Sequence, residues 1–148
     1  MSPAELLEQL RQGVQTDSPE QTENIGADLA VALAGQAIIC LEGPLGAGKT
    51  CFVRGLARGL GCETPVTSPT FNLFQIYNGP RRLLHVDAYR LSAPTQMDDL
   101  GLEDWMDAQT VLAIEWPENV RPWLPPKHYW LRLSAVSENR REIQLTAG

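Results

Sequence analysis

The chain has little that would let it hold nucleic acid or lipid by itself. Its 148 residues carry 12 lysines and arginines against 18 aspartates and glutamates, a formal net charge of −6. Gripping a phosphate backbone unaided takes a basic surface that displaces counterions, and here only the small clusters Arg81-Arg82 and Arg140-Arg141 point that way. The apolar runs, residues 37–41 among them, are all far short of the roughly 20 residues that cross a bilayer as a helix. No basic stretch followed by an apolar one opens the sequence, so the pattern of a secretory signal is absent and a cytoplasmic location is expected, with no membrane association. Cysteine is scarce and odd in number. Cys40, Cys51 and Cys62 form neither an even disulfide framework nor the close pairs of a zinc site, and are expected to be buried thiols in a reducing compartment. Repeats and low-complexity tracts are also missing.

What is present is enough for one domain with a core: 43% of residues are hydrophobic, near the globular average. Two helices are expected first. Ser2-Pro3-Ala4-Glu5 and Ser18-Pro19-Glu20-Gln21 each place a capping serine, a proline at the first helical position and an acid or amide three residues on. Leu6, Leu7, Leu10 and Val14 mark the apolar face of the first helix, and Ile25, Leu29 and Leu33 that of the second. The period then changes. Residues 36–42 read as a strand buried on both faces of a parallel sheet. A helix carrying Phe52, Val53, Leu56 and Leu60 follows a glycine loop and ends at Gly61. Residues 71–77 and 83–87 read as two strands joined through Asn78-Gly79 and Pro80. Residues 93–108 suggest short helices, 111–115 a further buried strand, and 128–133 and 142–146 closing strands; Pro117, Pro122, Pro125 and Pro126 interrupt regular structure between them. The sum is an α/β domain of three layers, a mainly parallel central sheet with an antiparallel section, covered by helices.

The glycine loop carries the chemistry. Gly43-Pro44-Leu45-Gly46-Ala47-Gly48-Lys49-Thr50 meets the pattern G-x-x-x-x-G-K-[ST] at every fixed position. Glycines let the backbone curl its N–H groups inward as an anion nest, and the helix that follows aims its positive end at the same phosphates. Lys49 reaches the β- and γ-phosphates, and the Thr50 hydroxyl suits Mg²⁺. Gly43, Leu45, Gly46, Ala47, Gly48, Lys49, Thr50 and Cys51 are therefore the expected nucleotide-binding set, with Lys49 also acting in catalysis.

A P-loop protein places an acid near the metal at the end of a neighbouring strand. Two residues fit, Asp87 after residues 83–86 and Glu115 after 111–114, and the sequence leaves open which lies closer to the metal. Ser68-Pro69-Thr70 falls where other P-loop proteins keep a γ-phosphate sensor, or else is only the turn before a strand. His85, alone in an apolar run, is expected to be packed rather than catalytic. Trp105, Trp116, Trp123 and Trp130 lack regular spacing, which makes packing the expected use of most of them.

These pieces together resemble the TsaE family, bacterial P-loop ATPases of tRNA threonylcarbamoyladenosine biosynthesis. The resemblance rests on the glycine loop, then Ser68-Pro69-Thr70-Phe71, then His85-Val86-Asp87-Ala88-Tyr89-Arg90-Leu91, then Glu115-Trp116-Pro117, in that order and at that spacing. It covers residues 18–148 as a P-loop ATPase domain and leaves residues 1–17 as a helical N-terminal extension. The resemblance implies a P-loop fold and Mg²⁺-dependent hydrolysis of ATP. It also implies two partner proteins, TsaB and TsaD, through which tRNA is mainly contacted. By the same resemblance Thr50 and Glu115 would hold Mg²⁺, Asp87 would assist hydrolysis, Thr70 would belong to a nucleotide-sensing switch, and Ser18, Thr22 and Arg141 would contact ATP.

Two other functions share the loop. A small-molecule kinase needs an acceptor pocket with an arginine-bearing lid, and beyond Arg54 and Arg58 the sequence shows no such lid. A nucleotide-gated binding module would use ATP only to order a docking surface. A GTPase is disfavoured because no Asn/Thr-Lys-x-Asp segment is present.

Overall fold

A computed structural model describes residues 1–66 and 74–148. The elements in chain order are α1 (Pro3–Gln12), β1 (Val14–Thr16), α2 (Pro19–Ala32), β2 (Ala37–Glu42), α3 (Lys49–Gly59), β3 (Phe74–Tyr77), β4 (Leu83–Asp87), α4 (Thr95–Asp98), β5 (Val111–Glu115), β6 (Tyr129–Ala135) and β7 (Arg141–Thr146), with 3₁₀ segments at Leu102–Trp105 and Pro117–Trp123. The expected residues 71–73 of the third strand, and Ser68, Pro69 and Thr70, lie outside the described residues.

The near-continuous apolar runs of β2, β4 and β5 take the centre of a seven-stranded sheet because both of their faces are covered. The strand order is β1-β7-β6-β2-β5-β4-β3. Neighbours from β6 to β4 are parallel. Antiparallel pairs flank this block at both edges, β3 on β4 at one side and β6, β7 and β1 in turn at the other. The α/β architecture is thus the expected one, with its antiparallel part divided between two edges. Alternation along each strand builds two cores. Ile39, Leu41, Leu83, Val111, Ala113 and Leu131 pack under α1, α2 and α3. Leu84, Val86, Leu112 and Ile114 pack under the short helices with Met97, Leu102 and Val120.

Both serine caps form: Ser2 Oγ accepts from Glu5 N and Ser18 Oγ from Gln21 N, each at 3.2 Å. The first helix is shorter than its apolar period suggests. Gly13, at φ +98°, ends α1, so Val14 leaves the helical face and instead pairs with Ile143 as the first residue of β1. Only Leu6 and Leu10 are the buried stripe of α1. The second helix buries Leu29 and Leu33 and packs Ile25 against the core as expected, but its contact with α3 is made by residues outside that apolar period. Its buried face is Thr22, Gly26, Leu29 and Ala30, because α2 packs backbone to backbone on α3. A Cβ on Gly26 would stand 2.4 Å from the Phe52 carbonyl oxygen, and one on Gly55 would stand 1.9 Å from that of Glu23. Reading apolar side chains alone cannot find a stripe made of glycine. The α3 terminus is as expected, with Gly61 N donating to Arg58 O and Cys62 N to Ala57 O, the bond pair of a Schellman ending.

Cys40 and Cys62 are buried, and burial pushes the Cys40 thiol up to about 12, so it is an inert core residue. Cys51 is only half-buried and faces the cleft described below. No helix among the described residues is long and apolar enough to cross a membrane.

Arg81 ties the end of α2 to the sheet. Its guanidinium donates to the carbonyls of Ala30, Leu33, Gly35 and Gln109 at 2.6–3.2 Å, satisfying carbonyls left open at the helix C-terminus. Arg81→Ala is expected to cost about 2 kcal/mol and to lower the melting temperature by roughly 4–8 °C, read in a thermal melt. A melt unchanged within a degree would show that these bonds are matched by water.

Candidate nucleotide-binding site

The C-terminal ends of β2, β4 and β5 are level with one another. Leu41 pairs with Glu115, and Glu115 with Asp87. The chain therefore leaves the sheet at the rim where ligands of open α/β sheets bind, and the glycine loop turns there from β2 into α3. Gly48 sits at φ +98° immediately before the helix, in the left-handed region that glycine enters without cost from a Cβ. Gly48, the N-cap residue, gives α3 no side-chain cap, and the positive end of the helix lies on the cleft, where an anion is favoured.

Lys49 is the first residue of α3 and is 5% exposed. Its Nζ donates to Gly43 O at 2.6 Å and stands 4.0 Å from the centroid of the Trp116 ring. Burial pulls its pKa below the ordinary 10.5, against the opposing pull of Glu115, Asp87 and Glu118. A buried ammonium with no ion pair among the described residues is a site prepared for an anion.

A cleft of about 450 Å³ opens above it, a size that suits a small-molecule ligand. Its walls bring together Leu45, Gly46, Gly48, Lys49, Thr50 and Cys51 from the loop, Asp87 and Glu115 from the strand ends, Ser18 and Thr22 from α2, and Arg141 from β7. Ser18 is the cap of α2, so this helix also directs its N-terminus to the cleft. The Thr22 hydroxyl shares a 2.7 Å hydrogen bond with that of Thr16, fixing the α2 wall to β1. Arg141 donates from Nε to Gly46 O at 3.1 Å and from Nη1 to the carbonyls of Ser137 and Glu138. It thereby clamps the glycine loop to the β6–β7 turn.

Two expected residues sit behind the wall rather than on it. Ala47 is buried within the turn, its N–H donating to Pro44 O. Gly43 supplies the carbonyl under Lys49, and a Cβ there would meet Leu133 O at 2.4 Å. Thr70 lies outside the described residues. Trp116, Glu138, Asn139 and Pro19 also line the cleft, and side-chain pattern did not single them out. Trp116 carried a signal in its place directly after Glu115; the β6–β7 turn carried none. Trp116 adopts φ +58°, ψ +49°, a conformation rare for a bulky residue and concentrated at functional sites. It packs on Tyr89 with ring centroids 5.0 Å apart. The other tryptophans are packing residues: Trp130 is buried, Trp123 bonds Asp98, and Trp105 lies under Arg82. His85 is fully buried as expected, and its Nε2 lies 2.6 Å from Glu115 Oε2.

The donor set suits a magnesium nucleotide. Carboxylate and hydroxyl oxygens are the hard ligands that Mg²⁺ takes. Among the described residues no group of three or more His, Cys, Asp or Glu is assembled. The shell would thus be completed by phosphate oxygens and water, as in phosphoryl-transfer sites. Glu115, Asp87 and Thr50 would hold the metal side, and Lys49 with the loop N–H groups the phosphates.

Comparison with known proteins gives the family. The family model described as "Threonylcarbamoyl adenosine biosynthesis protein TsaE" matches residues 16–143. The protein named tRNA threonylcarbamoyladenosine biosynthesis protein TsaE from Treponema pallidum is 38% identical over 126 residues, covering 85% of this chain and 93% of that protein. Its namesake from Bacillus subtilis is 39% identical over 134 residues, covering 89% and 83%. The crystal structure of Bacillus subtilis YdiB superposes with a TM-score of 0.72 at 32% identity, over 91% of this chain and 84% of that one. With the family model spanning most of the sequence and relatives at this identity over most of their length, the chain belongs to the TsaE family.

Proposed function

We propose that the protein is a Mg²⁺-dependent ATPase that serves threonylcarbamoyl modification of tRNA adenosine, working with the TsaB–TsaD complex in the cytoplasm. The observation that carries the reading is the Lys49 ammonium, buried without an ion pair among the described residues, between a glycine loop and two strand-end carboxylates. Phosphates entering the cleft meet the loop N–H groups, the α3 N-terminus and Lys49 together, so their charge is met without reorganisation. Thr50 and Glu115 position the metal, and bound Mg²⁺ would neutralise charge developing on the β- and γ-phosphate oxygens. Asp87, adjacent to Glu115 across the β4–β5 register, orients the attacking water. Arg141 and the α2 wall enclose the nucleotide. The net charge of −6 favours docking on a protein partner over gripping tRNA, which supports the place given to TsaB–TsaD.

A kinase reading is weakened by the arginines nearest the loop. Arg58 is engaged with Glu23 and Asn24 on α2, and Arg54 is turned to Cys51 Sγ; neither lines the cleft. Phosphate release from Mg²⁺–ATP by the purified chain tests the reading. ATP-dependent phosphate transfer to a small acceptor, with no hydrolysis, would move the assignment to a kinase.

Nucleotide binding is expected to be linked to a proton on Lys49. Burial lowers the lysine pKa in the free protein, and bound phosphate favours the charged form and raises it again. Between those two values binding takes up a proton, so affinity falls as pH rises through the free-protein pKa. Calorimetry in buffers of different ionisation enthalpy measures the uptake. No proton uptake on the alkaline side would show that Lys49 stays charged throughout.

A further inference from the structure

His85 is the middle residue of β4 and is fully buried. The side chains of His85, Asp87 and Glu115 project from the same face of the sheet as Leu83, Val111 and Ala113, beneath α3. His85 pairs with Ala113 and Asp87 with Glu115, which places the imidazole one diagonal step from the Glu115 carboxylate. The resulting contact, 2.6 Å from Nε2 to Oε2, is short, and both side chains are withdrawn from solvent, at 0% and 8% exposure.

The other ring nitrogen decides what this histidine is for. His85 Nδ1 is buried and has no hydrogen-bond partner among the described residues. An imidazole used only to fill space would be replaced without loss by leucine or phenylalanine, which leave no buried polar atom unsatisfied. Here a polar ring is kept in an apolar strand at that cost, and its hydrogen bond goes to one atom, Oε2 of Glu115. No hydrogen bond among the described residues engages the other oxygen, Oε1.

We infer that His85 is a positioning residue: its Nε2–H donates to Glu115 Oε2 and fixes the carboxylate plane so that the remaining oxygen faces the metal position beside Thr50. A carboxylate on the last residue of a strand is otherwise free to rotate, and a metal ligand held in one orientation loses less freedom when the ion binds. The pair is the carboxylate–histidine arrangement in reverse, with the histidine behind the ligand rather than on the metal. The inference rests on the Mg²⁺–ATP reading of the cleft and adds a residue that touches neither ion nor nucleotide.

Mn²⁺ is the probe, with its binding to the protein–nucleotide complex followed by electron paramagnetic resonance. His85→Phe keeps ring volume and removes the donor; His85→Gln restores an N–H near the Nε2 position. The expected result for His85→Phe is a Mn²⁺ affinity lower by about 10–100-fold, with metal-free nucleotide binding in EDTA unchanged and a cooperative thermal melt that shows a folded protein. His85→Gln is expected to recover most of the loss. In steady state the Phe variant loses kcat at saturating metal and shifts its Mg²⁺ requirement upward, while KM for ATP moves little. Parent-like Mn²⁺ affinity in His85→Phe overturns the inference, and so does a folded His85→Gln protein with no recovery. If the parent itself binds no Mn²⁺–nucleotide, the ATPase reading falls with it, an outcome distinct from parent binding with an indifferent His85.

Discussion

Lys49→Ala is expected to abolish ATP hydrolysis, by at least about 100-fold, and to leave the fold intact. Both halves follow from where the ammonium sits. It is 5% exposed, and the loss of water on burial holds its pKa below the ordinary value against the opposing pull of Glu115, Asp87 and Glu118. Its contacts are the Gly43 carbonyl and the face of Trp116, which compensate only partly for that loss. Removing the charge therefore relieves a desolvation penalty as it removes two weak contacts. The melting temperature of the nucleotide-free protein should stay within about 3 °C of the parent. Lys49→Met, which keeps the aliphatic stem, should lose activity equally and melt at or above the parent. A nucleotide-free Lys49→Ala protein that melts far below the parent would make the lysine a structural residue and contradict its assigned role.

The largest effect on stability is expected from Gly55→Ala. In an exposed helix this exchange stabilises by about 1 kcal/mol. On α3 its sign reverses, because the added Cβ would stand 1.9 Å from the Glu23 carbonyl oxygen and 2.8 Å from the Glu23 carbonyl carbon. Backbone cannot rotate aside as a side chain can, so α2 and α3 must separate. We expect a cost of about 3 kcal/mol and a melting temperature lower by roughly 6–12 °C. The effect should reach the cleft as well. Ser18 and Thr22 of α2 and the glycine loop before α3 are adjoining walls of one site, with Thr22 Cγ2 3.6 Å from a Cβ placed on Gly48. Nucleotide affinity should fall with stability in Gly55→Ala. A melt equal to the parent would mean that the helices do not meet at Gly55.

The sequence made the centre of this molecule legible and its edges less so. Periodicity located β2, β4 and β5, because strands covered on both faces read as unbroken apolar runs. The loop motif then assigned Lys49 and Thr50 to the rim where those strands end. Asp87 and Glu115 followed from being the last residues of such strands. Other features depend on contacts that leave no one-dimensional trace. The α2 stripe runs through Gly26, whose role is to have no side chain. Val14 continues the helical period of Leu6 and Leu10, yet Gly13 turns the chain into an edge strand. His85 was read correctly as buried, but its partner Glu115 lies 30 residues away and becomes its neighbour only through sheet register. Trp116 followed the acid that ends β5 and was visible in that sense; its left-handed backbone and its place over Lys49 were not.

The central claim is that this cleft hydrolyses Mg²⁺–ATP in support of a partner enzyme. Its most direct test is phosphate release from Mg²⁺–ATP by the purified protein, alone and with TsaB and TsaD added, beside the Lys49→Ala variant. The account predicts slow release by the protein alone, a changed rate with the partners, and loss of both in the variant. Demonstrable ATP binding with no release under either condition would contradict it.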